Sequence, residues 1–131
     1  MSKSFIYTCR VYAENVDHMG IVYHANYLCF FERARTELLR KLGFSLPELG
    51  NNGTQFAISE VQLRFRAPAR LDDLLTIKTS VTTQRAASLL FKQVMCDPSD
   101  KVLCEGDIQV VCLNDALKPK RLPDSLIKFN F

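Results

Sequence analysis

Asn26-Tyr-Leu-Cys-Phe-Phe-Glu-Arg-Ala-Arg-Thr-Glu-Leu-Leu-Arg-Lys-Leu42 is the stretch from which the fold is read. Tyr27, Phe30, Phe31, Ala34, Leu38 and Leu42 recur at helical spacing, while Glu32, Arg33, Glu37, Arg40 and Lys41 take the other face. The inner side of this helix reads as almost entirely apolar. Arg33–Glu37 and Glu37–Lys41 stand four residues apart, and each such pair contributes roughly 0.2–0.5 kcal/mol. Asn26 is expected as the N-cap and Gly43 as the C-terminal stop.

On either side of the helix the chain reads mainly as strand. Phe5, Tyr7, Cys9 and Val11 alternate through residues 5–12, which predicts a first strand. After the helix, Ser45 to Gly53 carries Pro47, Gly50 and Asn51-Asn52-Gly53, so a loop or short helical turn is expected. From Phe56 to Ala67, Val61, Leu63 and Phe65 alternate with Gln62, Arg64 and Arg66. Pro68-Ala-Arg-Leu-Asp-Asp73 makes a turn. Leu75, Ile77, Thr79 and Val81 give another strand, and Ala87 to Cys96 the next. Asp97-Pro-Ser-Asp100 is a hairpin turn before a last strand from Val102 to Leu113. The tail from Lys118 is basic, contains Pro119 and Pro123, and is expected to end in a helical turn.

One strand, a long buried helix and four antiparallel strands is an α+β order. A five-stranded antiparallel sheet curled around one central helix buries both apolar faces with few elements. No repeat, low-complexity run or linker interrupts the chain, so residues 1–131 read as one domain. That length suits a single core.

Hydrophobic residues make up 47% and charged residues 24%, ordinary values that exclude disorder as the dominant state. The formal charge of +3 comes from 17 basic against 14 acidic residues scattered along the chain. Such an excess does not point to a nucleic-acid partner. The five cysteines (Cys9, Cys29, Cys96, Cys104 and Cys112) lack CxxC spacing, which argues against a disulfide framework and a zinc site. They read as small buried hydrophobes. The start, Met-Ser-Lys-Ser-Phe-Ile-Tyr, lacks the apolar stretch of a signal peptide. No segment is long enough to cross a bilayer. The expectation is a cytoplasmic protein without membrane insertion.

Reactive groups converge in Asp17-His-Met-Gly-Ile-Val-Tyr-His-Ala-Asn-Tyr27. A carboxylate (Asp17), two imidazoles (His18 and His24), a phenol (Tyr23) and a glycine (Gly20) stand just ahead of a helix start. That end of a helix has unpaired N–H groups and a partial positive charge. It can polarise a carbonyl or hold a developing oxyanion. Gly20 permits close backbone approach of a ligand. A carboxylate facing such donors suffices for thioester cleavage, because the leaving thiol has a pKa of about 8.5 and needs no strong general acid. The plainer reading is that Asp17 caps a turn while Tyr23 and His24 fill a loop.

The run from Arg10 through Asp17, Gly20 and His24 to Tyr27, followed by Phe31-Glu-Arg-Ala-Arg-Thr-Glu37, resembles the 4-hydroxybenzoyl-CoA thioesterase family. Within it the chain is most similar to the bacterial acyl-CoA thioesterases encoded beside the Tol–Pal genes. Arg66-Ala-Pro-Ala-Arg-Leu-Asp-Asp-Leu74 matches the same family at a turn between strands. The resemblance spans nearly the whole chain. It implies a hotdog fold, an acyl-CoA substrate and no separate cofactor, coenzyme A being part of the substrate. It further implies dimers pairing sheet to sheet and assembling into tetramers, with the site at a subunit interface.

By that resemblance Asp17 is the catalytic carboxylate, acting as nucleophile or as general base. The backbone N–H of His24 is the helix-start donor to the substrate carbonyl. The His24 side chain is a catalytic helper or an orienting hydrogen-bonder, and Tyr23 completes the candidate catalytic set. Asn15 stands where many relatives have a second Asp, leaving Asp17 to act alone, and His18 reads as a rim residue. Phe56, Ala57, Ile58 and Ser59 are expected to line the acyl and pantetheine path. Arg85, Ala86 and Ser88 fall where relatives contact the coenzyme arm, although Arg85 lacks the basic neighbours found in the hydroxybenzoyl enzymes.

Other readings carry less. A hydratase needs a closer Asp–His pair, and a metal hydrolase needs more ligands than two histidines and one Asp. A non-catalytic acyl-CoA or acyl-carrier-protein binding module would not need a carboxylate beside the thioester. The basic residues Arg33, Arg35, Arg40 and Lys41, with the tail, form a surface that could meet an acidic acyl carrier protein, or simply a solvated helix face. Acyl preference is open, since Phe30, Phe31 and Phe56 could shape an aliphatic or an aromatic pocket. The resemblance favours short to medium aliphatic chains.

Overall fold

Strand β1 (Phe5–Arg10) stands alone before the long helix α1 (Asn26–Lys41), and a short helix α2 (Leu46–Asn51) follows. Strands β2 (Gln55–Phe65), β3 (Leu74–Gln84), β4 (Ser88–Cys96) and β5 (Val102–Leu113) come next, and a last turn of helix, α3, covers Asp124–Ile127. This computed structural model describes residues 4–127. The strands form one sheet in the order β1-β3-β4-β5-β2, every neighbour antiparallel. The α+β reading with a five-stranded sheet around a central helix holds. The single-domain reading runs on to residues 1–3 and 128–131, outside the described part.

Alternation decides the inner face. Leu75, Ile77, Thr79 and Val81 of β3 are buried, as are Leu89, Phe91, Gln93 and Met95 of β4. Against them α1 sets Tyr27, Phe30, Phe31, Ala34, Leu38 and Leu39. The closest approach is at Gly106 of β5, where a Cβ would sit 3.0 Å from Leu63 Cδ2 and 3.1 Å from the Phe31 ring. Gly106 thus makes room for the Phe31 ring of the helix. In the same core the Gln93 amide donates to the Phe31 carbonyl and to Thr79 Oγ1, both at 2.9 Å. Its oxygen accepts from Arg35 Nη1, also at 2.9 Å. A buried amide with its groups paired locks one register between helix and sheet.

Several sequence expectations are corrected. The cap of α1 is Ala25, in helical conformation and without a side-chain bond. The Asn26 side chain instead donates to the carbonyl of Asn15 at 2.8 Å. Glu37 pairs with Arg40, three residues on, at 3.3 Å, rather than with Arg33 or Lys41. Arg35 belongs to the inner side, not to the basic surface; it is buried. The first strand stops at Arg10 because the Val11 N–H turns away to the Asp73 carbonyl. The helical turn expected after α1, by contrast, does form over residues 46–51, capped by Ser45 Oγ accepting from the Glu48 N–H.

Cys96, Cys104 and Cys112 are buried and Cys9 is half-buried, but Cys29 is exposed on α1. Burial pushes the Cys9 thiol up to about 11. Burial, with the nearby Glu105 carboxylate, pushes Cys104 to about 12. Among the described residues no helix is long and apolar enough to cross a membrane.

Replacing Gly106 with valine forces two methyl groups into the Leu63–Phe31 contact. Overpacking of this kind costs about 1–3 kcal/mol. We expect the urea midpoint of Gly106→Val to fall by the corresponding amount with an unchanged slope; an unshifted midpoint would show that α1 can back away from the sheet.

Candidate active site

The segment between β1 and α1 is built as a brace. Val11 exchanges backbone hydrogen bonds with Asp72 and Asp73. Asn15 is buried; its side chain accepts from the Tyr12 N–H, and its carbonyl accepts from the Tyr23 N–H and the Asn26 amide. Asn15 therefore ties the loop to the first residue of α1. Bridges pair Val16 with Val22 and Ile21 with Arg70. The Val22 N–H donates to Ala69, and the Leu71 N–H to Gly20. The loop is thus stitched to the connection between β2 and β3.

At the tip of this brace the chain reverses within five residues. The Asp17 N–H donates to the Ile21 carbonyl, and the Gly20 N–H to the Asp17 carbonyl. Gly20 has φ +77°, the left-handed region that glycine enters without a Cβ penalty. Asp17 Oδ1 accepts from the Met19 N–H at 2.8 Å. Asp17 does cap a turn, as the plainer reading held. That bond uses one carboxylate oxygen, and Oδ2 accepts no hydrogen bond among the described residues.

Asp17 and His24 line a common cleft of about 410 Å³. The rest of its wall is Met19, Ile21, Val22 and Tyr27, with the end of β2 and the residues that follow it, Phe65 to Pro68. The Tyr27 hydroxyl accepts from the Ala69 N–H at 3.1 Å, and its ring meets Phe65 edge-on at 5.2 Å. Burial raises the Tyr27 phenol above its ordinary pKa, so it remains protonated at neutral pH. His24 is exposed, and its ring packs at 4.4 Å against that of Tyr23, which does not itself line the cleft. In the turn before α1 the Asn26 N–H goes to Tyr23 and the Tyr27 N–H to His24. The N–H groups of His24 and Ala25 bond to nothing among the described residues. The first turn of α1 carries no acidic residue, so the positive end of the helix dipole is not neutralised locally.

The other expected site residues lie elsewhere within one chain. Phe56, Ala57 and Ile58 line a second cavity, between β2, α1 and α2. Ser59 sits where the register between β2 and β5 slips, its hydroxyl 3.4 Å from the Gln109 carbonyl. Arg85 and Ala86 lie in the β3–β4 connection, where the Arg85 N–H donates to the Ser88 carbonyl. The Leu122 N–H bonds to the Ala86 carbonyl, and this brings Arg121 into the same depression as Arg85. The sequence reading missed Arg121, whose place depends on the path of the tail. It also missed Tyr27 and Phe65 as walls of the cleft, although the Arg66–Leu74 motif pointed to their neighbourhood. No group of three or more His, Cys, Asp or Glu is arranged to hold a metal among the described residues.

The family described as the thioesterase superfamily matches residues 19–104. The chain is 41% identical to the acyl-CoA thioester hydrolase YbgC of Escherichia coli O6:H1 over 124 residues, 94% of this chain and 92% of the relative. It is 36% identical to the acyl-CoA thioesterase YbgC of Haemophilus influenzae, over 94% of this chain and 91% of the relative. Among solved structures it is similar to a probable thioesterase from Bartonella henselae, with TM-score 0.87 and 34% identity over 92% of this chain and 99% of that one.

An alanine at position 20 would meet nothing within 4 Å, so its cost is purely conformational, about 1–2 kcal/mol for a left-handed backbone. We expect Gly20→Ala to fold with a lowered Tm and to lose activity beyond what its stability explains, because the turn carrying Asp17 relaxes. Full activity at a temperature well below Tm would show that the turn does not position the carboxylate.

Proposed function

The chain belongs to the thioesterase superfamily and is a thioester hydrolase; we propose that its substrates are short- to medium-chain acyl-CoAs, aliphatic or aromatic, and that Asp17 is the catalytic carboxylate. One observation carries this reading. The Asp17 carboxylate and the start of α1, with its unpaired N–H groups, border the same cleft.

A thioester carbonyl held at the His24 N–H is polarised by that donor and by the helix end. Asp17 then attacks the carbonyl carbon, giving a mixed anhydride and free thiolate, or it takes a proton from the water that attacks. The thiolate leaves without an acid, given its ordinary pKa of about 8.5. The His24 imidazole, steadied by Tyr23, sits at the rim and can orient the carbonyl or the water. The turn needs only one oxygen of Asp17; a binding module that never turned over would have no use for the second, which accepts no hydrogen bond among the described residues.

The β2 edge supports a homodimer. β2 has a sheet partner on one side only, and Ile58, Val61 and Phe65 are exposed along it. An apolar open edge of this kind invites pairing with another strand. Antiparallel pairing with a second copy about the middle of β2 would set the partner's Phe56–Ser59 beside the Asp17 cleft. This would reunite the two halves of the expected substrate path, and a tetramer would follow from further packing of such dimers. Arg33, Arg40 and Lys41 on the exposed face of α1 suit an acidic acyl carrier protein as an alternative donor. A cytoplasmic location fits substrates of this class.

The test is release of free thiol from a panel running from acetyl- to palmitoyl-CoA plus benzoyl-CoA, for wild type and Asp17→Asn. We expect turnover of some members and a loss of at least about a hundredfold in the variant, with the oligomer intact. An inactive wild type, or an active variant, would move the function away from Asp17.

Arg85 and Arg121, lining one depression, together offer two cations to the phosphates of coenzyme A. We expect Arg121→Ala to raise KM for acyl-CoA with kcat little changed, as for the loss of uniform binding. The same variant should not alter KM for an N-acetylcysteamine thioester, which has no phosphate. Equal effects on both substrates would remove Arg121 from phosphate binding.

A further inference from the structure

The cavity between α1, α2 and the start of β2 holds about 180 Å³. Leu39, Phe56, Leu89, Phe91 and Val110 make most of its wall apolar, yet Arg35 also lines it. Arg35 is only 7% exposed. Its guanidinium lies 6.0 Å from the centre of the Phe91 ring, and Nη1 donates to Gln93. Among the described residues Gln93 is the one hydrogen-bond partner of the guanidinium, and no carboxylate lies within ion-pair distance. Glu32, exposed at the mouth of the same cavity, acts on it only at longer range. Burial pulls the guanidinium below the ordinary arginine pKa.

A guanidinium has five N–H donors, and Gln93 takes one. No side-chain nitrogen or oxygen among the described residues is both sealed from solvent and unpartnered, so any unpartnered donor of Arg35 reaches open space, and Arg35 lines this cavity. Burying such a charge without a counter-charge is strongly unfavourable. The planar fork is shaped for a carboxylate. The cavity is otherwise greasy enough for methylenes, and its β2 side is Phe56, Ala57 and Ile58, the segment that antiparallel pairing would set beside the partner's Asp17 cleft.

We propose that this cavity receives the far end of the acyl group and that Arg35 recognises a carboxylate there, so that the preferred substrates are CoA half-thioesters of dicarboxylic acids. The inference rests on the thioesterase reading and names its substrate class. A carboxylate-ended chain gives the guanidinium the counter-ion it lacks; a methyl-ended chain leaves it dry and unpaired, and the site penalises that chain.

The experiment compares kcat/KM for glutaryl-, adipyl- and suberyl-CoA with pentanoyl-, hexanoyl- and octanoyl-CoA, in wild type, Arg35→Met and Arg35→Lys. Wild type should favour at least one carboxylated chain over its methyl-ended match by roughly tenfold or more. That ratio should collapse in Arg35→Met and fall less in Arg35→Lys, which keeps the charge but not the fork. Should the variants fail to fold, free adipate should inhibit wild-type hydrolysis of hexanoyl-CoA roughly tenfold better than hexanoate does. Turnover without a preference for carboxylated chains, equal losses on both series with the dimer broken, or equal inhibition by the two acids would each overturn the inference while leaving a thioesterase. A wild type inactive on every thioester would overturn the thioesterase reading itself, and this inference with it.

Discussion

Everything in this molecule hangs on the fit of α1 against the inner face of the sheet. Phe30, Phe31 and Ala34 are fully buried there, and Gly106 leaves the space that Phe31 fills. Apolar burial of this kind supplies the driving force but little direction. Direction comes from Gln93, which reads a helix carbonyl, a strand hydroxyl and a helix guanidinium at once. With the helix held in one register, its N-terminus has a fixed position and aim. The donors of the proposed catalytic site are then set by the core.

The loop from Val11 to Ala25 turns that fixed point into the proposed site. Asn15 links it to Asn26, and backbone bonds from Val22 and Leu71 join it to the Ala69–Asp73 connection. Asp17 serves this architecture and, in the proposed function, the chemistry as well. One oxygen holds the turn through the Met19 N–H, and the other is left for a substrate. A residue so used is already oriented when ligand arrives, which lowers the reorganisation that the reaction needs. Asn15 is instructive beside it: an amide donates as well as accepts, and the loop uses its side chain and its carbonyl in the brace.

The features that a thioester substrate would need are divided within one chain. The Asp17 cleft lies at the end of β2, the apolar cavity with Arg35 lies at its start, and Arg85 with Arg121 stands at the β3–β4 connection. A strand of eleven residues keeps the first two apart in a single copy. Strand pairing across a two-fold axis is the simplest operation that brings the start of one strand to the end of another. The open β2 edge, with its register slip near Ser59, is therefore as much a part of the proposed mechanism as the carboxylate.

The helix from Asn26, the strand pattern and the α+β order were all readable in the sequence, because periods of 3.6 and 2 are local consequences of backbone geometry. The cluster of Asp17, Gly20 and His24 ahead of a helix start was readable for the same reason, since its members are neighbours in the chain. Position in the sequence does not reveal that Arg35 is buried against Gln93, 58 residues away; on a charged stretch an arginine reads as surface. Nor does it reveal that Asn26 turns back to Asn15 instead of capping its helix, or that the tail carries Arg121 to Arg85. Those outcomes depend on which elements meet and how closely they pack. Only the folded chain brings together groups that no local pattern relates.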